Sequence, residues 1–156
     1  MRTRDHHYRV TVRWTGNLGS GTSGYGAYSR NHEIQSEGKA PIAGSSDPVF
    51  RGDADRYNPE ELFVASLAAC HKLWFLHLCA DAGVIVTAYE DEAEGWMQDT
   101  AGGGGRFVRV RLRPRATIAG AWEAATIREL HRSAHEKCFL ASSVNFPVEV
   151  APEGLD

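Results

Sequence analysis

NPEELFVASLAACHKLWFLHLCADAG, residues 58–83, is the stretch of this sequence that decides the fold. Asn58 is a good helix N-cap, the proline after it suits the first helical position, and Glu61 follows three residues after the cap, as in a capping box. Gly83 supplies a C-terminal stop. The pattern predicts a helix over 59–82. Because it is apolar on nearly all sides, this helix should be central, wrapped by sheet or by a partner subunit.

Segments that favour strands and turns flank this first helix. A strand is predicted at 8–14, where apolar and polar residues alternate. The other predicted elements, in chain order, are a strand at 25–35, a short strand within 39–57, strands at 84–94 and 107–118 joined by a glycine-rich hairpin loop at 101–105, a second helix from Ala121 to about Cys138, and a strand at 144–150. This order, βββ-α-ββ-α-β, lacks the strict strand–helix alternation of a parallel sheet and predicts an α+β fold.

Length and composition bound the class of protein. The 156 residues suit a single domain over 1–156, and a formal net charge of −3 argues against nucleic-acid or anionic-membrane partners, which favour a basic face. Residues 1–13 are polar, unlike a secretory signal, and His71, Lys72 and His77 interrupt the most apolar zone, unlike a membrane span. A secreted disulfide scaffold has more cysteines, in an even number, whereas this chain has three. We expect a cytoplasmic protein with one or more working thiols.

Two further motifs, a glycine-rich stretch and a histidine pair, have simpler explanations. Residues 19–24 match G-x-G-x-x-G, but a strand-like segment follows instead of the helix that a dinucleotide site needs, so nucleotide binding is disfavoured. His131 and His135 are four apart on the second helix, a spacing that can bind a metal. Because the apolar stripe of that helix occupies another side, the pattern favours solvent-exposed histidines. We expect no bound metal, and keep a metal-binding protein as a third alternative.

The three cysteines differ in their positions on the helices. Cys79 lies nine residues after Cys70, about half a turn round, and is best interpreted as a small buried hydrophobe. Cys70 and Cys138 each end an apolar stripe on the two helices expected to form the core. A disulfide needs Cα atoms within roughly 7 Å, which packed helices could supply. The pattern alone leaves a redox pair and two inert cysteines equally favoured.

Residues 58–70, NPEELFVASLAAC, closely resemble the N-P-E-x-L-x-x-A-x-x-A-A-C signature of the OsmC/Ohr family. The second cysteine, in AHEKC at 134–138, follows at the distance usual in that family, and the resemblance covers nearly the whole chain. It implies the OsmC-like fold, in which two central helices are wrapped by antiparallel sheets in an intertwined homodimer with two active sites at the interface.

The resemblance also implies an activity, since known members reduce organic hydroperoxides. By motif match, Cys70 is the peroxidatic cysteine, Cys138 is the resolving cysteine, and Glu60 is the carboxylate that orients an active-site arginine. The expected partners are a peroxide substrate and a dithiol reductant such as a dihydrolipoyl protein, with no bound cofactor. Phe139 stands where relatives often have proline, and the alternative function is a non-catalytic OsmC-like dimer that binds a small lipophilic ligand.

The chemistry requires a cation beside Cys70. A buried thiol ten residues into a helix has a raised pKa unless a positive charge approaches it. Approximate alignment makes Arg51 the first choice, and Arg30 and Arg56 remain candidates. Glu60 precedes Cys70 by ten residues, roughly 15 Å along a helix, so the two cannot touch within one chain. We therefore expect the two Cys70 helices of a dimer to run antiparallel, bringing Glu60 of one chain towards the site of the other.

Overall fold

A computed structural model describes residues 3–155 of the chain. The chain divides into two compact units, Met1–Leu62 and Phe63–Asp156, and each is described by itself. The expectation of a single domain over 1–156 stays a prediction.

The first unit holds a small antiparallel sheet in the order β1-β2-β3, formed by Thr11–Trp14, His32–Gln35 and Ile42–Gly44. A 3-10 helix at Pro48–Phe50 follows. The second strand is shorter than the predicted 25–35, because the Arg30 guanidinium donates to the carbonyl oxygens of Tyr25 and Tyr28 and holds this segment in turns.

Helix α1 spans Pro59–Asp81, as the capping signals predict. The Asn58 amide donates to Glu61 Oε2 at 3.1 Å and the Glu61 amide donates to Asn58 Oδ1 at 2.8 Å, which is the reciprocal capping box. The helix is followed by Gly83, with φ at +72°. Helix α1 is long and apolar enough to cross a membrane. Core helices of soluble proteins meet the same criterion.

Only one stripe of α1 is buried within the single chain. Its members are four residues apart: Leu67, His71, Phe75 and Cys79. The expectation of a helix covered on nearly all sides is therefore not met by the single chain, and Leu73, on another face, is 63% exposed.

The second unit adds four strands, a helix and a last strand. These elements are β4 Val86–Asp91, β5 Glu94–Asp99, β6 Gly105–Leu112, β7 Pro114–Ile118, α2 Ala124–Lys137, a 3-10 helix Ala141–Ser143 and β8 Val148–Val150. Strand β4 pairs with β7, and β5, β6 and β8 form a second sheet in which only the β6–β8 pair is parallel.

Each of the two long strands predicted in this unit is broken into two. The Asp91 carboxylate accepts the Arg113 amide at 2.7 Å where both breaks occur, and Pro114 has no N–H to continue the ladder. The order is therefore βββ-α-ββββ-α-β. The α+β class and the hairpin across 100–104 are confirmed.

Two apolar clusters meet α1 along its buried stripe. One joins Phe75 and Cys79 to Ile127 and Ala134 of α2. The other joins Leu67 to strands β6 and β8. His71 lies between Leu67 and Phe75 in that stripe, so Cys70, the residue before it, is placed where the two clusters adjoin.

Candidate active site

The second unit brings Cys70 and Cys138 together. Cys70 is half-buried on α1, while Cys138 is 1% exposed and is the C-cap of α2, where its amide donates to the His135 carbonyl oxygen at 3.2 Å. Both are free thiols, and they are neighbours, since Cys70 contributes to the pKa shift of Cys138. Two neighbouring free thiols are compatible with a redox pair, and the roles assigned to Cys70 and Cys138 stay predictions.

The two thiols differ in their surroundings. Burial raises the pKa of Cys138 to about 11, and its interaction with the neighbouring Cys70 thiol acts in the same direction. The Ala141 amide, 3.5 Å from the Cys138 sulfur, acts against this shift, as does the Leu140 amide. Cys138 is therefore a protonated thiol at neutral pH, next to a second thiol that solvent can reach.

Cys79 does not join the pair. It is 1% exposed in the apolar cluster with Phe75, and burial raises the pKa of its thiol to about 11. The interpretation of Cys79 as a small buried hydrophobe is confirmed.

His131 was expected at the surface, and that expectation is wrong. It is 2% exposed, and its Nδ1 lies 3.0 Å from Nε2 of His71, which is fully buried. The buried face of α2 contains Ile127, His131 and Ala134, so the apolar stripe includes His131 instead of lying on another side. Position 131 falls four residues after Ile127 and seven before Cys138, and this spacing is the signal that could have placed it inside.

The histidine pair is uncharged and tightly stacked. Its two rings are nearly parallel at 5.3 Å between centroids, and His131 also stacks on Phe75 at 3.8 Å. Burial lowers the pKa of His71 to about 4, with a contribution from His135, and burial lowers the pKa of His131 to about 3, with a contribution from His71. Nδ1 of His71 and Nδ1 of His135 are buried without a hydrogen-bond partner among the described residues.

Aromatic side chains flank the cysteine pair. Trp74, one turn after Cys70, meets the ring of Phe139, the residue after Cys138, edge to face at 5.8 Å. About two turns before Cys70, Phe63 contacts Phe107 and Phe146 at 5.1 and 5.9 Å between ring centroids. The thiols therefore lie in apolar surroundings that suit an organic molecule better than an ion.

Arg51, Arg30, Arg56 and Glu60 all belong to the first unit. The Arg30 guanidinium is occupied, since it lies over the rings of Tyr25 and Tyr28 at 4.4 and 4.1 Å. Arg56 forms an ion pair with Asp53 at 3.8 Å.

Arg51 is the least engaged candidate, since its guanidinium lies over the ring of Tyr25 at 5.6 Å, farther than that of Arg30. Over residues 3–155, it is the one non-glycine residue with positive φ, at +64°, and its side chain makes no hydrogen bond or ion pair. Gly26 leaves room for the guanidinium, because a Cβ there would stand 2.7 Å from Arg51 Nη1. Such a backbone outlier is a reason to look for a function. The roles assigned to Arg51 and Glu60 stay predictions.

The other two motifs have plain structural explanations. Residues 19–24 form turns, in which Asn17 Oδ1 accepts the amides of Gly19 and Gly21, in place of the helix that a dinucleotide site requires. Across the described part of the chain, no three His, Cys, Asp or Glu side chains are grouped so that they could hold a metal ion.

Comparison with known proteins gives a consistent result. A family model described as OsmC-like protein matches residues 52–153. An OsmC-like protein of unknown function from Vibrio cholerae has a similar structure, with 28% identity, a TM-score of 0.86, and coverage of 95% of this chain and 99% of that one. No curated protein sequence matches the chain.

Two other solved structures share the fold at lower identity. An organic hydroperoxide resistance protein from Legionella pneumophila has 18% identity and a TM-score of 0.69, over 96% of this chain and 97% of that one. An organic hydroperoxide resistance protein from Bacillus subtilis has 22% identity and a TM-score of 0.66, over 95% and 98%.

Proposed function

Since the chain belongs to the OsmC-like protein family, we propose that it is a thiol-dependent peroxidase that reduces organic hydroperoxides. The observation that supports this most is the pair of neighbouring free thiols, one half-buried and one fully buried. Two structural neighbours are themselves named organic hydroperoxide resistance proteins.

The first step uses Cys70 as the nucleophile, because it is the thiol of the pair that solvent can reach. The Cys70 thiolate attacks one peroxide oxygen, the O–O bond breaks, and the alkoxide takes up a proton and leaves as the alcohol. Cys70 becomes a sulfenic acid. The peroxide is reduced and the sulfur is oxidised by two electrons.

The second step uses Cys138 as the resolving thiol. Its sulfur bonds to the Cys70 sulfur, the sulfenic hydroxyl leaves, and the Cys138 proton goes with it as water. Because burial raises the pKa of Cys138, this proton is on the sulfur before the step. A dithiol reductant then reduces the disulfide and returns both thiols.

Arg51 is proposed as the cation that stabilises the Cys70 thiolate and polarises the O–O bond, with Glu60 as the carboxylate that orients it. Two properties of Arg51 support this choice: its guanidinium has no ion pair among residues 3–155, and its backbone is held in the left-handed region. An arginine beside a thiolate lowers the thiol pKa through its charge and donates hydrogen bonds in a fixed fork.

The test of the function is turnover of cumene hydroperoxide and of hydrogen peroxide by the wild-type protein with a dithiol such as dihydrolipoamide. We expect the organic peroxide to be consumed faster, because Phe63, Trp74 and Phe139 make the surroundings of the thiols apolar. Absence of turnover with any peroxide, together with unchanged thiols, would instead favour the non-catalytic protein that binds a lipophilic ligand.

Arg51→Ala is expected to slow the reaction of Cys70 with cumene hydroperoxide about 100-fold, the usual effect of removing one donor that stabilises developing charge. Stopped-flow measurement of the first step gives this rate. Arg56→Ala is the matched control, because Arg56 is already paired with Asp53, and its rate should stay close to wild type. An equal loss in both variants, or no loss in Arg51→Ala, would remove Arg51 from the site.

We also propose that the protein is a homodimer, in which a second copy covers α1. Ala65, Ala69 and Leu73 form an exposed row on this helix, and small residues let two helices approach closely. In sedimentation equilibrium we expect twice the chain mass of 17.1 kDa. Leu73→Glu should yield monomers, whereas Thr126→Glu on the exposed side of α2 should not. A monomeric wild-type protein would contradict this proposal.

A further inference from the structure

The hydrogen bond between His71 and His131 is a link between the two helices that carry the cysteines. Among the residues described, it is the one side-chain hydrogen bond that joins α1 to α2. Packing of apolar side chains tolerates small sliding movements, but a hydrogen bond is directional and weakens steeply when its angle or length changes. This bond therefore fixes the position of one helix along the other.

The link lies on the same helix–helix interface as the thiols. On α1, His71 directly follows Cys70, so the two differ by about 1.5 Å along the axis. On α2, Cys138 comes seven residues after His131, close to two full turns, so both fall on the same side of that helix. If His131 moves relative to His71, the position of Cys138 relative to Cys70 consequently changes as well.

Filling this space with two histidines costs more free energy than filling it with apolar side chains. Both imidazoles are buried, their charged forms are suppressed, and Nδ1 of His71 has no hydrogen-bond partner among the described residues. Apolar side chains of similar size would avoid the desolvation of polar nitrogens. Phe75, which stacks on His131, shows that the site accepts an apolar ring. The two histidines are explained by a role that needs a directional hydrogen bond, and not only side chains that fill the space.

We propose that His71 and His131 are positioning residues, whose mutual hydrogen bond aligns α1 and α2 so that Cys138 can close a disulfide with Cys70. Disulfide closure needs an S–S separation near 2.05 Å with Cα atoms within about 7 Å, so a small displacement between the helices opposes it. The proposal builds on the proposed function, because the disulfide is the product of its resolving step.

The test compares His131→Phe with His131→Asn. The phenylalanine keeps a flat ring against Phe75 and loses the hydrogen bond, while the asparagine loses the ring and can place an amide near the Nδ1 position. The measurement is the equilibrium of the Cys70–Cys138 disulfide with glutathione, which gives the effective concentration of one thiol at the other. It does not require any reaction with a peroxide.

His131→Phe should lower the effective concentration at least tenfold, and His131→Asn should stay within about threefold of wild type. In both variants, sulfenic acid formation at Cys70 should keep its wild-type rate, since that step precedes closure. His71→Phe and His71→Gln form a second pair with the same expectations, should His131→Phe fail to fold. Thr126→Phe, at an exposed position on α2, is the control.

Two results would overturn the proposal. One is an effective concentration in His131→Phe and His71→Phe equal to that of wild type. The other is an equal fall in the asparagine and glutamine variants, which would assign the effect to the ring and not to the bond. If wild-type Cys70 fails to react with peroxides while the glutathione equilibrium responds as expected, the proposed function fails and the positioning role stands.

Discussion

Cys70→Ser is expected to abolish the loss of thiols that one equivalent of cumene hydroperoxide causes, whereas Cys138→Ser should still consume one equivalent. Serine lacks a nucleophilic thiolate, so the first step has no other group to use. Without Cys138, the Cys70 sulfenic acid has no neighbouring thiol and accumulates. Free-thiol titration before and after peroxide, with dimedone trapping and mass measurement for the sulfenic acid, distinguishes the two variants.

Cys79→Ala serves as the matched control for these variants. Cys79 is buried in the apolar cluster with Phe75 and has no thiol partner among residues 3–155, so its removal should leave the peroxide reaction unchanged. Loss of activity in Cys79→Ala with the fold intact, or full activity in Cys70→Ser, would contradict the assignment of the nucleophile.

The second large effect expected is a loss of stability in mild acid. The pKa values of His71 and His131 fall from about 6.5 to about 4 and about 3 in the folded protein. Above pH 6.5 both are neutral whether the chain is folded or not, so stability is complete. Below pH 6.5 the two histidines bind protons in the unfolded chain but stay neutral in the folded protein. The free energy of unfolding therefore falls, by about 1.4 kcal/mol per pH unit for each proton. The decline ends near the folded pKa values.

Urea unfolding between pH 7.5 and pH 4.5 measures this loss, with the double variant His71→Phe plus His131→Phe as the comparison. The variant keeps the stacked rings and removes the titrating groups, while every carboxylate stays in place. We expect its stability to change much less across this window than that of wild type. Parallel curves for the two proteins would show that the buried histidines do not cause the acid sensitivity.

Local signals in the sequence predicted the first helix well. The reciprocal bonds between Asn58 and Glu61, and the stop at Gly83, depend only on neighbours along the chain, and the structure has both. The strands were predicted less well, because their ends depend on distant partners. The breaks beside Asp91 and Pro114 come from the pairing of β4 with β7, which no periodicity in either segment reveals.

The site shows the same division between local and distant causes. The motif placed Cys70 on its helix, but the apolar pattern alone could not tell a thiol pair from two core residues. His131 was misplaced because a histidine between apolar positions was taken as polar, although burial of an imidazole needs only a partner, and His71 provides one sixty residues away. The roles of Arg51 and Glu60 stay predictions, because they rest on motif resemblance and approximate alignment.

The central claim is that Cys70 and Cys138 form a catalytic pair, and the most direct measurement is peptide mapping after a single turnover. Reduced wild-type protein is treated with one equivalent of cumene hydroperoxide, alkylated, digested without reductant and analysed by mass spectrometry. We predict a disulfide between the Cys70 and Cys138 peptides, with Cys79 recovered as an alkylated free thiol. Recovery of both Cys70 and Cys138 as free thiols, with the peroxide unconsumed, would contradict the account.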